Sequence, residues 1–227
     1  MTSEATRPAL LAPALRGQAP CRCDRSRLPQ VADRVVLTGG PGGGKTAVLE
    51  VVRRHFCEHI VVLPEAASLV FGGGFPRLAN DEARRAAQRA IFHVQLEMER
   101  VAATLGDVGL VLCDRGVIDG AAYWPAGVDG LFASVGTRRA DVLGRYAGVI
   151  HLRTPDIAGY DHSNPLRVES AADAATIDAR IYDAWEGHPR RVVVSAEADF
   201  VHKLSAALDA IHAFLPPCCG GHVEAAS

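Results

Sequence analysis

The chain has 227 residues, of which 48% are hydrophobic and 22% charged, with a formal net charge of -2. This length predicts one domain, or two at most, and it is long enough to bury a core without disulfides or metal ions. The composition argues against collagen-like, coiled-coil and wholly disordered chains. The charge gives nucleic-acid binding no support, and no apolar run reaches the roughly 18 residues that a membrane span requires.

The two ends of the chain differ in composition from its middle. Residues 1–32 are rich in Ala, Pro and Arg without hydrophobic periodicity, so we expect a flexible leader there. One folded domain is expected over residues 33–214, followed by a disordered tail over 215–227. The sequence shows no secretory signal pattern, and a reducing cytoplasm is therefore the expected location.

Short β-branched runs alternate with helix-like segments along the predicted domain. We expect strands at 35–37, 60–63, 108–113, 149–152 and 192–194. We expect helices at 45–55, 81–105, 171–185 and 199–214, a short helix after Glu65, and loops at 72–76 and 153–168. This alternation predicts an α/β fold, a five-stranded parallel sheet with helices on both faces. Ligands of such sheets bind outside the carboxyl ends of the strands.

The long predicted helix over 81–105 has an apolar stripe at helical spacing. The stripe consists of Ala87, Ile91, Val94, Met98, Val101 and Leu105. Residues at steps of three and four share one face of a helix, so we expect this stripe to face the core. Asn80 is the expected N-cap of the helix.

A glycine-rich segment follows the first predicted strand and matches G-x-x-x-x-G-K-[ST] in full. Its residues are Gly39, Gly40, Pro41, Gly42, Gly43, Gly44, Lys45 and Thr46. Glycines let backbone N–H groups turn toward a phosphate, and the N-terminus of the next helix adds positive potential. We expect Lys45 to reach the β- and γ-phosphates and Thr46 to ligate Mg²⁺, while Ala47 completes the binding segment. The motif predicts that the chain binds a nucleoside triphosphate, ATP or GTP, with Mg²⁺.

Charged residues follow two other predicted strands at the same edge of the sheet. Asp114 has the position of a Walker B carboxylate, which holds Mg²⁺ directly or through water; alternatively it caps the next helix. Arg115 either clamps a phosphate with two parallel hydrogen bonds or pairs with a surface carboxylate. Glu65 either accepts the proton of an attacking hydroxyl or stabilises a helix N-terminus.

Several arginines surround the loop after the fourth predicted strand. Phosphoryl transfer spreads negative charge over the transferring oxygens, and a mobile arginine can stabilise that charge. Arg167 is the preferred candidate for this role, ahead of Arg153 and Arg180, although solvated side chains are the alternative for all three. Asp119 and Tyr123, which follow the Asp-Arg-Gly segment, are weaker candidates for lining an acceptor pocket.

The six cysteines fall into two groups. Cys57 and Cys113 lie in apolar segments and are predicted to be small core residues. The remaining four lie near the chain ends: Cys21, Cys23, Cys218 and Cys219. Together with His222 these end groups either meet to bind zinc or are idle tail thiols. Neither group has Cys-x-x-Cys spacing, so the idle-thiol interpretation is favoured.

Three segments taken together resemble a known family. They are Val-Val-Leu-Thr-Gly-Gly-Pro-Gly-Gly-Gly-Lys-Thr at 35–46, Leu-Pro-Glu-Ala-Ala at 63–67, and Leu-Cys-Asp-Arg-Gly-Val-Ile-Asp-Gly-Ala-Ala-Tyr at 112–123. They resemble the small P-loop AAA-domain proteins grouped with the kinase domain of NadR, a ribosylnicotinamide kinase, and with the translocation-defect GTP-binding protein. The similarity covers residues 34 to about 214. More distantly, the plan is similar to that of deoxynucleoside and thymidylate kinases.

The resemblance implies a nucleoside-kinase-like core with an Arg-bearing lid around 153–168. In nucleoside kinases a Glu after the second strand acts as base and an acidic residue followed by Arg ends the third strand. Glu65, Asp114 and Arg115 match those positions. The implied function is Mg²⁺-dependent phosphoryl transfer from ATP or GTP to a small hydroxyl acceptor, with a nucleoside as one candidate. Nucleoside kinases are often dimers, so a homodimer stays open.

A binding switch is the alternative to an enzyme. Such a protein would bind ATP or GTP, hydrolyse it slowly and recruit a partner in one of its two states. Ras-like switches read guanine through Asn-Lys-x-Asp, and this chain has no such motif, since Lys203 is its only lysine besides Lys45. The sequence therefore favours the phosphotransferase over the switch.

Overall fold

The computed structural model describes residues 16–19, 21, 28–125, 127–155, 171–196, 199–217 and 219. Within these residues, five parallel strands form one sheet in the order β2-β3-β1-β4-β5. The strands are β1 (Asp33–Thr38), β2 (Ile60–Leu63), β3 (Leu110–Asp114), β4 (Gly148–Leu152) and β5 (Arg191–Val194). The predicted α/β class and its five-stranded parallel sheet are confirmed.

Helices connect the strands and cover both faces of the sheet. They are α1 (Lys45–His55), α2 (Ala66–Gly72), α3 (Asp81–Ala103), α4 (Val128–Ser134), α5 (Arg139–Leu143), α6 (Ala171–Ala184) and α7 (Phe200–His212). A 3₁₀ helix (Asp119–Tyr123) follows β3. No sequence pattern predicted α4, α5 or the 3₁₀ helix, because elements of five to seven residues are too short to show periodicity. No helix in the described ranges is both long and apolar enough to cross a membrane.

Alternate residues of β1, β2, β3 and β4 point to opposite faces and supply two cores. In β1, Val36 packs in the core formed with α3 and α6, whereas Val35 and Leu37 pack in the core formed with α1 and α7. All three are fully buried. This alternation explains why these four strands are unbroken apolar runs, since their residues face helices on both sides of the sheet. The edge strand β5 differs, because its Val192 and Val193 are 40% and 44% exposed.

The buried face of α3 differs from the predicted apolar stripe. Val101 is 51% exposed, whereas Gln95 and Glu99 are 2% and 0% exposed. The Glu99 carboxylate accepts hydrogen bonds from the Arg145 guanidinium at 2.6 Å and from the Tyr146 hydroxyl at 2.7 Å. These bonds offset the cost of burying a charge, so the helix can turn polar residues inward. The apolar-stripe prediction is wrong at Val101 for this reason.

Strand register sets which residues meet at the carboxyl edge of the sheet. Leu37 of β1 pairs with Asp114, and Leu63 of β2 pairs with Cys113. Because β3 lies between β1 and β2, Asp114 lies between the segments that leave those two strands. The glycine-rich segment leaves β1 and Glu65 follows β2, so all three groups lie at one edge.

Residues 16–19 lie within the expected flexible leader, yet they contact the folded domain. The Arg16 guanidinium forms two hydrogen bonds with the Asp107 carboxylate, at 2.9 and 3.0 Å. The Gly17 N–H donates to the Ile60 carbonyl at 3.0 Å. These contacts lie where β2 begins, at the edge of the sheet opposite the glycine-rich segment.

Candidate functional site

The glycine-rich segment is a tight loop between β1 and α1. Its backbone has positive φ angles at Gly39 (132°), Gly42 (78°) and Gly44 (94°), a region that residues with a Cβ rarely occupy. A Cβ on Gly39 would also lie 2.0 Å from the Leu152 carbonyl oxygen. The loop therefore requires glycine both for its turn and for its close approach to β4.

The N-terminus of α1 fits the phosphate of a nucleotide. Its N-cap is Gly44, no side chain caps the helix, and its first turn contains no acidic residue. The Lys45 ammonium donates to the carbonyl oxygens of Gly39 at 2.7 Å and Gly40 at 2.9 Å. Burial and the nearby Arg115 guanidinium lower the pKa of Lys45 to about 7. An anionic phosphate favours the charged form of this amine, so the residues present suit that ligand.

Arg115 links the carboxylates that follow β2 and β3. Its Nε donates to Glu65 Oε1 at 2.7 Å, and its Nη1 is 3.4 Å from Asp119 Oδ1. The Ser68 hydroxyl donates to the other Glu65 oxygen at 2.7 Å. Burial raises the pKa of Glu65, but Arg115, Ser68 and Lys45 outweigh it and the pKa is lowered. Glu65 is therefore an ionised carboxylate whose two oxygens are each held by one donor.

The backbone of Arg115 is strained to place this side chain. Its φ of 69° lies in the left-handed region, the one such non-glycine residue in the described chain. The Arg115 N–H donates to the Leu37 carbonyl at 3.1 Å, which holds this conformation. Strain of this kind persists only where surrounding contacts impose it, and it is concentrated at functional sites.

Asp119 anchors the loop after β3 and is only 3% exposed. Its carboxylate accepts hydrogen bonds from the Thr38 hydroxyl, from the Gly116 N–H at 2.9 Å and from the Trp185 indole at 3.3 Å. These bonds tie the loop to β1 and to the end of α6. The side chain thus positions Arg115 and is too enclosed to line an acceptor pocket.

Asp114 and Thr46 offer oxygen ligands of the kind that Mg²⁺ prefers. Burial, followed by the Glu65 carboxylate, raises the pKa of Asp114 to about 6. A divalent cation favours the ionised carboxylate, so this site suits such an ion. Thr46 lies in the first turn of α1 with an exposed side chain.

Sequence reasoning missed Asp178, which supports the loop from α6. Its carboxylate accepts a hydrogen bond from the Gly40 N–H at 2.8 Å, lies 2.8 Å from His151 Nε2, and pairs with Arg153 at 3.1 Å. The Thr154 hydroxyl adds a bond to the Pro41 carbonyl at 3.1 Å. No local pattern marks Asp178, because it lies 138 residues from the loop that it contacts.

Two of the three candidate arginines lie among the described residues. Arg153 pairs with Asp178, and Arg180 lies exposed on α6. Arg167 and residues 156–170 of the expected lid lie outside the described residues. The role of Arg167 in charge stabilisation therefore stays a prediction.

Comparisons with known proteins agree with this geometry. The family model described as AAA domain matches residues 34–203. A structure of NadR in complex with NR is 16% identical and has a TM-score of 0.62, covering 87% of this chain and 54% of the NadR chain. A structure of NadR with NAD and AMP-PNP is 15% identical with a TM-score of 0.58, covering 86% and 51%. The chain thus spans about half the length of these NadR chains, and no curated protein matches its sequence.

Proposed function

The chain belongs to the AAA domain family, and we propose that it transfers the terminal phosphoryl group of ATP or GTP to a hydroxyl of a small acceptor, with a nucleoside as the favoured class. The observation that carries this proposal is the Glu65 carboxylate, ionised and held by Arg115 at the edge where Lys45 and Asp114 also lie. A carboxylate so placed can receive the proton of an attacking hydroxyl.

The donor nucleotide binds at the glycine-rich loop in this proposal. Its phosphates accept hydrogen bonds from the α1 N-terminus and from Lys45, which exchanges its bonds with Gly39 and Gly40 for phosphate oxygens. Thr46 and Asp114 hold Mg²⁺, which when bound neutralises phosphate charge. Phe200 is 57% exposed, and its ring lies 3.8 Å from the position of a Cβ on Gly44. We assign this exposed ring to stacking on the nucleotide base.

The acceptor hydroxyl donates a hydrogen bond to Glu65. Its oxygen attacks the terminal phosphorus while the bond from that phosphorus to the bridging oxygen breaks, and the nucleoside diphosphate leaves. The hydroxyl proton passes to Glu65. Because the transition state is loose, the proton leaves late, so a carboxylate with a lowered pKa is adequate as acceptor. Arg115 stabilises the developing charge, and we assign the same role to Arg167.

The ligands of the NadR structures support both halves of the proposal. One holds NR, and another holds NAD and AMP-PNP, a nucleotide. This chain resembles about half of each NadR chain, and these ligands favour a donor nucleotide and a nucleoside-like acceptor as the first pair to test. The acceptor of this chain is to be identified by experiment.

The test is release of nucleoside diphosphate from purified protein with Mg²⁺ and ATP or GTP. The reaction is run with and without a panel of nucleosides, and Lys45→Ala serves as the blank. Release stimulated well above the basal rate by one acceptor, with the phosphorylated acceptor found by mass spectrometry, is the expected result. Nucleotide binding with only slow, acceptor-independent hydrolysis would overturn the phosphotransferase and support a binding switch.

A further inference from the structure

Four metal-binding side chains meet at the amino-terminal edge of the sheet, away from the nucleotide site. The donor atoms of Cys21, Cys57, His59 and Cys219 all lie within 4.8 Å of one another. Cys57 and His59 precede the first residue of β2, whereas the glycine-rich loop follows the last residue of β1. Since the strands are parallel, the two groups lie at opposite edges. We propose that these four side chains bind one zinc ion.

The spacing of the donor atoms fits tetrahedral zinc. Zinc bonds of about 2.3 Å to sulfur and about 2.0 Å to nitrogen place neighbouring donors of a tetrahedron roughly 3.5 to 3.8 Å apart. The Cys219 sulfur lies 3.6 Å from His59 Nδ1. The remaining pairs are within 4.8 Å, so they reach this geometry by small side-chain rotations.

The types of donor atom indicate which ion binds here, and the number of protein ligands indicates its role. Cys57, His59 and Cys219 are 4%, 1% and 1% exposed, while Cys21 is half-buried. Three sulfurs and one imidazole suit zinc and disfavour Mg²⁺ or Ca²⁺, which take oxygen ligands. Four protein ligands leave no position for water or substrate, which makes the site structural.

Backbone contacts bring the first ligand segment to the site. The Gly17 N–H donates to the Ile60 carbonyl and the Ala19 N–H to the Phe56 carbonyl, both at 3.0 Å. Ala19 also forms a bridge with Cys57. Cys21 therefore arrives beside Cys57 because the preceding residues are already hydrogen-bonded to the α1–β2 connection.

The other two ligand segments are held in the same way. The His59 carbonyl accepts from the Gly109 N–H at 2.8 Å, which fixes the residue before β2 against the start of β3. The Cys219 N–H donates to the Pro216 carbonyl at 2.8 Å in a turn after α7. A zinc ion here would cross-link the segments that carry Cys21 and Cys219 to the start of β2.

This ligand set differs from the one that the cysteine spacing suggested. Cys21 and Cys219 are shared with that earlier set, but Cys57 and His59 come from the middle of the chain. Cys23, Cys218 and His222 lie outside the described residues. The site was hidden because its ligands come from three segments that only the fold brings together.

The first test measures the metal content of the full chain, expressed with zinc in the medium and passed over a desalting column in a mild chelator. About one zinc ion per chain is expected. Replacement by Co²⁺ should give the visible absorption of a tetrahedral ion and the charge-transfer band of thiolate ligands. Protein without zinc, protein with a disulfide among these cysteines, or a cobalt spectrum without thiolate bands would overturn the proposal.

Matched variants locate the ion. Cys219→Ala and Cys21→Ala should each lower the retained zinc to about a tenth or less, whereas Cys113→Ala, which removes a buried thiol from the other core, should retain it. Cys21 is half-buried, so its variant tests the site even if Cys219→Ala fails to fold. A strong chelator should lower the Tm of the wild type and leave that of Cys21→Ala unchanged. Full zinc retention in Cys21→Ala would refute the assignment.

Discussion

The two edges of the sheet carry opposite kinds of chemistry. The carboxyl edge holds charged groups that pair with one another, such as Arg115 with Glu65 at 2.7 Å, beside a loop of glycines. The amino edge holds three thiols and an imidazole within a largely apolar setting, where residues 16–19 contact the sheet. If the two proposals hold, one edge binds and transforms ligands while the other stabilises the fold.

Glycine has a different task at each edge. At the carboxyl edge Gly39 and Gly44 adopt positive φ angles that form the phosphate loop. At the amino edge a Cβ on Gly17 would lie 2.2 Å from the Cys57 carbonyl oxygen, so Gly17 serves close docking. Substitutions at the two edges should therefore separate loss of chemistry from loss of stability.

The largest expected effect is that of Lys45→Ala at the carboxyl edge. Without this ammonium the β- and γ-phosphates lose a charged donor, and turnover should fall about a thousandfold in the diphosphate-release assay. Zinc content should be unchanged, because the amino edge is untouched. Arg54→Ala, on the exposed side of the same helix, is the matched control and should keep its activity. Near-normal turnover in Lys45→Ala would refute the assignment of the nucleotide site to this loop.

The next effect is that of Glu65→Gln, which keeps the shape of the side chain and removes its charge. Loss of the proton acceptor should lower kcat about a hundredfold while nucleotide affinity changes little. Glu97→Gln is the control, because Glu97 is an exposed glutamate paired with Arg100 on α3. Steady-state assays measure kcat, and nucleotide titrations measure the affinity. A loss confined to nucleotide affinity would assign Glu65 to donor binding.

A smaller effect is expected for Gly17→Ala at the amino edge. The added methyl group meets backbone atoms of Phe56 and Cys57, and should lower the free energy of unfolding by about 1–3 kcal/mol. Gly106→Ala is the control, since nothing lies within 4 Å of its added Cβ. Denaturant unfolding gives the stabilities, and nucleotide affinity should stay unchanged. Equal stabilities of the two variants would show that residues 16–19 contribute little.

The smallest effect is the pH dependence of nucleotide binding. Phosphates bind protonated Lys45, whose pKa is about 7 in the free protein, so affinity should fall up to about tenfold per pH unit above 7. Mg²⁺ requires ionised Asp114, whose pKa is about 6, so Mg²⁺-dependent affinity should also fall below 6. Calorimetric titrations across this range measure both losses of affinity, above pH 7 and below pH 6. The arginine of Lys45→Arg stays charged throughout this range. If nucleotide affinity still falls above pH 7 in this variant, deprotonation of Lys45 is not the cause.

The sequence by itself determined the parts of this protein that depend on local pattern. Continuous β-branched runs predicted the five parallel strands, because four of the strands are buried on both faces and the edge strand β5 has the same apolar pattern. The glycine-rich motif predicted the phosphate loop, because its chemistry is contained in eight neighbouring residues. The positions of Glu65 and Asp114 at one edge followed from the rule that parallel strands end together.

Only the tertiary structure decided the contacts between distant segments. Burial of Glu99 on α3 depends on Arg145 and Tyr146, which lie 46 and 47 residues away. Support of the loop by Asp178 spans 138 residues, and the Cys219–His59 contact spans 160. Hydrophobic periodicity records which face of an element is apolar, but a polar side chain goes inside only when a partner from elsewhere in the chain satisfies it.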